Sequence, residues 1–133
     1  AFLLTLLCVI ITDAISAQLL KPYFMRIRPS HELYENINLL IAKGGKFSFP
    51  SNHAANSMAL AFTTSFFFKS SFKYLFILSI MIGFSRIYVG VHYPFDVIFG
   101  FIFGYLISMF SLHIYYKLKI YFIKPSNKLN FLI

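Results

Sequence analysis

Three short strings in this chain carry side chains that suit one another chemically: Lys21-x6-Arg28-Pro29, Pro50-Ser51-Asn52-His53 and Ser85-Arg86-x5-His92-x3-Asp96. Transfer of a phosphoryl group spreads negative charge over three equatorial oxygens, so its catalysis is mostly positioning and electrostatic stabilisation. Arg28 and Arg86 offer planar forks that match phosphate oxygens two at a time, and Lys21 offers a point charge. Ser51 stands where an N-cap would open an apolar helix, and the backbone N–H groups that follow it would point at an anion.

The second and third strings add the groups that make and break bonds. His92 and Asp96 are four residues apart, with Pro94 between them at the start of an apolar run. That spacing can bring the carboxylate to one imidazole nitrogen, fix the tautomer and leave the other nitrogen free to attack phosphorus. His53, arriving from another segment, can protonate the leaving oxygen. No Asp/Glu/His cluster with metal-ligand spacing remains once these residues are assigned, so the chemistry asks for no metal or other cofactor. Plainer readings exist for each residue alone. Lys21 suits a membrane-surface anchor, His53 a buried core histidine, and Arg86 a partner for Asp96. Their joint occurrence in one order with fixed spacings favours a single phosphate site.

The elements that must hold these strings are apolar. The chain has 133 residues, of which 59% are hydrophobic, 20% aromatic and only 12% charged; a soluble domain carries about 25% charged residues. Four apolar runs read as spans: 1–20, interrupted by Asp13; 47–68, with His53; 74–85, reaching Arg86; and 95–116, opening on Asp96. A bilayer-crossing helix needs about 20 mostly apolar residues. The predicted fold class is all-α, a multi-pass transmembrane helical bundle forming a single membrane-embedded domain over 1–133, with a basic interfacial tail at 117–133. Run 1–20 has no charged leader and no small-residue cleavage site, so it does not read as a signal peptide. The absent initiator Met fits either a fragment or Met removal before Ala1.

Between the first two runs, Leu33, Ile37, Leu40 and Ile41 recur at helical spacing. Ser30 reads as an N-cap and Gly44-Gly45 as a stop, which predicts a short amphipathic helix at the membrane surface or packed on the spans. Gly100-x3-Gly104 allows close helix packing, within the chain in preference to between chains. Cys8, the single cysteine, reads as a small core residue. Asp13, inside an apolar run, must face protein or water and reads as a buried hydrogen-bonded acid. The net charge of +8 sits in short loops between apolar runs, not in a stripe on a polar face, which argues against a nucleic-acid partner.

The three strings resemble the signature motifs of the type-2 phosphatidic acid phosphatase family, within the acid phosphatase and vanadium haloperoxidase superfamily. That pattern is Lys-x6-Arg-Pro, Pro-Ser-Gly-His and Ser-Arg-x5-His-x3-Asp; here Asn52 replaces its glycine, a change expected to narrow the pocket. The resemblance implies a phosphohistidine on His92, with His53 as general acid and Asp96 supporting His92. It also implies that Lys21, Arg28, Ser51, Asn52 and Arg86 bind phosphate. Membrane members of the family have more spans, which implies one or two ahead of Ala1.

The resulting expectation is a metal-independent lipid phosphatase whose partners are the bilayer and a phosphorylated lipid. Undecaprenyl diphosphate, the 1-phosphate of lipid A, phosphatidylglycerophosphate and phosphatidic acid all remain open. A haloperoxidase would use the same cations around vanadate, but such relatives are typically soluble. A non-catalytic phosphate-binding or transport protein would need neither His53 nor His92. The strings must share one membrane face. The other face then carries Lys69, Lys73, Lys117, Lys119, Lys124 and Lys128 without an acid, which predicts that face to be cytoplasmic and the site to open outward from the inner membrane toward the periplasm or exterior.

Overall fold

A computed structural model describes residues 1–33, 40, 42 and 44–123. Among them every regular element is helical: α1 (Phe2–Ile15), α2 (Lys21–Phe24), α3 (Pro29–Glu32), α4 (Asn52–Phe67), α5 (Phe72–Tyr88) and α6 (Pro94–Ile123). A π-helical turn, Ser16–Leu20, joins α1 to α2, and a 3₁₀ turn, Lys69–Ser71, joins α4 to α5. The predicted amphipathic helix over 33–41 lies largely outside the described residues. Ser30 is not its N-cap: α3 starts at Pro29, is capped by Arg28 and buries Ser30.

The segments Phe2–Phe24, Lys69–Tyr88 and Pro94–Phe122 are each long and apolar enough to cross a membrane. The remaining predicted span, 47–68, differs. Its first residues form an irregular approach, with a cis Phe49–Pro50 bond, and the helix proper has only 16 residues, about 24 Å at 1.5 Å per residue. The reason is its place in the bundle. α4 is the central helix, packed on α6, α5 and α1. Its inner face is made of small residues, with Ala54, Ala55, Ala59 and Ala61 buried beside Met58. The outer helices turn large apolar side chains outward, among them Leu3, Leu7, Ile77, Met81, Ile98 and Phe110. That inversion is expected when the solvent is hydrocarbon.

Two glycines set how closely α4 approaches α6. A Cβ on Gly104 would stand 2.1 Å from the Ala55 carbonyl oxygen, and one on Gly100 would stand 2.7 Å from that of Ser51. The Gly100-x3-Gly104 spacing therefore serves packing within the chain. Cys8 is fully buried, as expected. The helix termini that carry the three strings meet at one end of this bundle. α1 through α2 and α5 finish there, and α4 and α6 begin there.

Candidate active site

Each motif is delivered by a local device. Lys21 follows the π-helical turn, a feature that often marks functional sites. The chain then leaves α2 through Met25, whose φ of 45° is left-handed, a conformation costing a non-glycine residue about 1–2 kcal/mol. Residues 26–28 run extended and pair with 46–48. Ser48 N donates to the Arg26 carbonyl at 2.7 Å, and Arg28 N donates to that of Lys46 at 3.1 Å. Arg28 Nε donates to the Phe47 carbonyl at 3.0 Å. Gly44 lies close enough to Arg28 that a Cβ there would meet Nη1 at 2.7 Å. Burial holds the Arg28 guanidinium below its ordinary pKa, against the partial opposition of Asp96.

At the start of α4, Ser51 is extended and occupies the N-cap position, but its hydroxyl makes no capping bond. It is fully buried and has no hydrogen-bond partner among the described residues. Its backbone N–H donates to the Asp96 carbonyl at 3.0 Å, tying α4 to α6. His53 is exposed on the same first turn and lies in the electrostatic field of Arg86, Lys21 and Arg28.

The third string bends through Gly90, whose φ of 73° suits glycine. His92 N then donates back to the Arg86 carbonyl at 3.3 Å. α6 opens with Pro94 at its first position and Asp96 at its third, where Asp96 Oδ2 accepts from the Tyr93 N–H at 2.9 Å. This is half of a capping box. The same carboxylate faces His92: Nδ1 and Oδ2 are 3.7 Å apart, slightly beyond a hydrogen bond. His92 Nδ1 is buried and has no partner among the described residues. Burial is the largest influence on His92 and lowers its pKa below 6.5, with Arg28 and Lys21 acting in the same direction and Asp96 opposing.

The structure thus gathers all the motif side chains at one end of the bundle and corrects two details. The Asn52 side chain does not narrow the pocket. It turns into α1, where Nδ2 donates to Asp13 Oδ1 at 2.8 Å and Oδ1 accepts from Ser16 Oγ at 2.7 Å. The ion-pair partner of Asp96 is Arg26, not Arg86; Arg26 Nη1 donates to Asp96 Oδ1 at 2.8 Å. Arg26 also lies over the Tyr93 ring, 4.3 Å from its centroid. The three motif strings give Arg26 no role. The missed signal was period two. In an extended stretch, side chains two apart share a side, and a residue preceding proline is biased to extended backbone. Arg26 therefore belongs with Arg28.

Beside Arg26, a hollow of about 270 Å³ is lined by Phe24, Phe49 and Phe95. A larger apolar cavity, about 430 Å³, lies at the other end of the bundle between α1 and α4, away from these residues. Among the described residues no three His, Cys, Asp or Glu side chains are grouped as metal ligands.

The family model described as the PAP2 superfamily matches residues 2–120. The chain belongs to that superfamily. Among PAP2 relatives, a lipid A 4'-phosphatase of Porphyromonas gingivalis is 36% identical over 121 residues, which is 87% of this chain and 50% of that protein. An undecaprenyl-diphosphatase of Sulfolobus acidocaldarius is 40% identical over 80 residues, covering 57% of this chain and 37% of the relative. The crystal structure of a transmembrane PAP2-type phosphatidylglycerolphosphate phosphatase from Bacillus subtilis superposes with a TM-score of 0.74 at 26% identity, over 86% of this chain and 59% of that one. The chain spans about half the length, or less, of the curated relatives it matches here. With its PAP2 membership and its apolar helices, it is a multi-pass membrane protein.

Proposed function

We propose that this PAP2 chain hydrolyses a phosphate ester or diphosphate of a membrane lipid through a phosphohistidine. The observation that carries the reading is His92. Its Nδ1 is buried, unpartnered and 3.7 Å from Asp96 Oδ2. A slight closure gives Nδ1–H a carboxylate acceptor, which leaves Nε2 unprotonated and free to attack phosphorus. The bond from phosphorus to the lipid oxygen then breaks, and His53 donates a proton to that oxygen. Water next attacks the phosphohistidine, with His53 taking its proton, and phosphate leaves.

Lys21, Arg28 and Arg86 neutralise the phosphoryl oxygens. The Ser51 hydroxyl donates to one of them, as its unpartnered burial suggests, and Asn52 contributes its backbone N–H at the first turn of α4. Apolar outer faces and the aromatic hollow beside Arg26 suit a substrate whose tail stays in the bilayer. The names of the relatives support lipid A, undecaprenyl diphosphate and phosphatidylglycerophosphate among the candidate substrates, and they add the 4'-phosphate of lipid A to its 1-phosphate.

The same reading takes 1–133 as a single membrane-embedded domain with a basic tail at 117–133, seated in the inner membrane. The site faces the periplasm or exterior. Pairing of Arg26 with Asp96 removes one more free cation from the site face, which sharpens the charge asymmetry that favours this orientation.

The test is phosphate release from detergent micelles holding phosphatidic acid, phosphatidylglycerophosphate, undecaprenyl diphosphate or lipid A. Wild type should release phosphate from at least one, His92→Ala from none, and His53→Ala should be slow. An active His92→Ala protein overturns the mechanism.

A further inference from the structure

Asp13 sits inside an apolar helix and takes no part in the phosphoryl chemistry, yet it is not isolated. Its Oδ1 accepts from Asn52 Nδ2 and from Asn56 Nδ2, both at 2.8 Å. Ser16, fully buried at the start of the π-helical turn that follows α1, donates to Asn52 Oδ1 at 2.7 Å. Asn52 and Asn56 are one turn apart on α4, so both donors point at one carboxylate oxygen from one helix face. An acid at this depth is costly unless its oxygens are satisfied by such donors.

We infer that Asp13, Asn52, Asn56 and Ser16 form a positioning clamp that sets α1 against the first turn of α4. It thereby fixes the distance between Lys21 on one helix and Ser51 and His53 on the other. The inference rests on the phosphotransfer reading above. The geometry needs such a device. α4 is tied to α6 by the Ser51–Asp96 backbone bond and the Gly100 and Gly104 contacts, which set Ser51 and His53 against His92 and Asp96. Lys21 is carried by the continuous helical segment from α1 through the π-helical turn into α2, and apolar packing between smooth faces allows sliding that directional hydrogen bonds forbid. Position 52 matters because a glycine there, as in the family pattern, has no side chain to reach Asp13 or Ser16. On the phosphotransfer reading the backbone N–H of residue 52 serves the phosphate, while its side chain holds the neighbouring helix.

The experiment compares kcat and KM for Asp13→Ala, Asp13→Asn, Asn52→Gly and the Asp13→Ala/Asn52→Gly pair, each normalised to folded protein in micelles. The substrate is whichever of the four lipids named above wild type hydrolyses fastest. Asp13→Ala should lower kcat roughly tenfold to a hundredfold, the scale of a sub-ångström to 1 Å misplacement, with KM little changed. Asn52→Gly should also lose kcat although it restores the family motif. The double variant should be no worse than Asp13→Ala, and Asp13→Asn should keep most activity because its carbonyl oxygen still accepts both amides. Wild-type kcat per folded molecule in both single variants overturns the clamp, as do multiplicative losses in the double variant or an Asp13→Asn as poor as Asp13→Ala. If wild type hydrolyses none of the lipids, the phosphatase reading itself falls, a result distinct from failure of the clamp.

Discussion

Arg26 and Asp96 form an ion pair at 2.8 Å across 70 residues of sequence, and it divides the Asp96 carboxylate in two. Oδ1 is taken by Arg26, while Oδ2 serves the Tyr93 N–H and faces His92. Asp96 is fully buried, whereas the Arg26 side chain is 39% exposed. The arginine therefore reaches from solvent to a buried carboxylate and helps fix the plane in which Oδ2 meets the imidazole.

Removing that arginine should be felt in both stability and rate. Arg26→Ala leaves a buried carboxylate oxygen short of a donor, which costs about 1–3 kcal/mol. The lost stacking on Tyr93 adds to this. Thermal unfolding in micelles should show a lower midpoint, and kcat should fall more than KM rises. Arg26→Lys should recover the charge but not the fork, and so recover only part of kcat.

The pH dependence follows from His92. Its pKa is held below 6.5 by burial. Attack on phosphorus requires the neutral ring, so activity is present above that lowered pKa and is lost as pH falls through it. The acid limb of kcat/KM should thus lie below the ordinary histidine range. Asp96 opposes this lowering, so Asp96→Asn should move the limb to still lower pH while reducing kcat. Titration of the substrate phosphate is common to both proteins and cancels in the comparison. A limb that stays put in Asp96→Asn, or moves up, contradicts the pairing.

Packing gives a third prediction. A methyl group on Gly104 would meet the Ala55 carbonyl at 2.1 Å, and backbone cannot step aside as a side chain can. Gly104→Ala should destabilise by about 1–3 kcal/mol, the usual range for overpacking. It should also lower activity by pushing Ser51 and His53 away from α6. Gly45→Ala, with nothing within 4 Å of its added carbon, is the control. Circular dichroism melts in micelles would separate them.

Because cationic side chains and a helix terminus surround the phosphate position, turnover should persist in excess chelator. Orthovanadate should inhibit it competitively by taking that position. Loss of activity in chelator with recovery on adding Mg²⁺ or Zn²⁺ would assign the electrostatic work to a metal.

Orientation can be read by labelling intact cells with a membrane-impermeant maleimide, in a Cys8→Ser background. His31, exposed in α3, and Ser71, half-buried at the end of the 3₁₀ turn, lie at opposite ends of the bundle. A cysteine replacing His31 should label from outside, and one replacing Ser71 should label only after permeabilisation. The reverse pattern would put the site in the cytoplasm.

Much of this arrangement was legible in the sequence because it is local. The four-residue step from His92 to Asp96, the proline that starts α6 and the small-residue spacing at Gly100 and Gly104 are all consequences of helical pitch. What escaped was long-range. Arg26 meets Asp96, and Asp13 meets Asn52 and Asn56, only because separate helices converge, and no periodicity within one segment encodes the partner. The shortness of α4 escaped for a related reason. A run of apolar residues looks the same whether its outside is lipid or other helices, and only the surplus of alanine hinted at the latter.

The π-helical turn at Ser16–Leu20 acts as an angular adjustment on α1. At about 100° per residue, an uninterrupted α-helix would carry Lys21 some 80° around the axis from Asp13. Wider winding over Ser16–Leu20 removes part of that excess and swings the ammonium back toward the side of the helix that Asp13 turns to α4. Ordinary α winding over the same residues would therefore turn Lys21 away from α4 with no change in the composition of the span. The winding of this short segment is as consequential for the direction of the charge as the identity of the lysine itself.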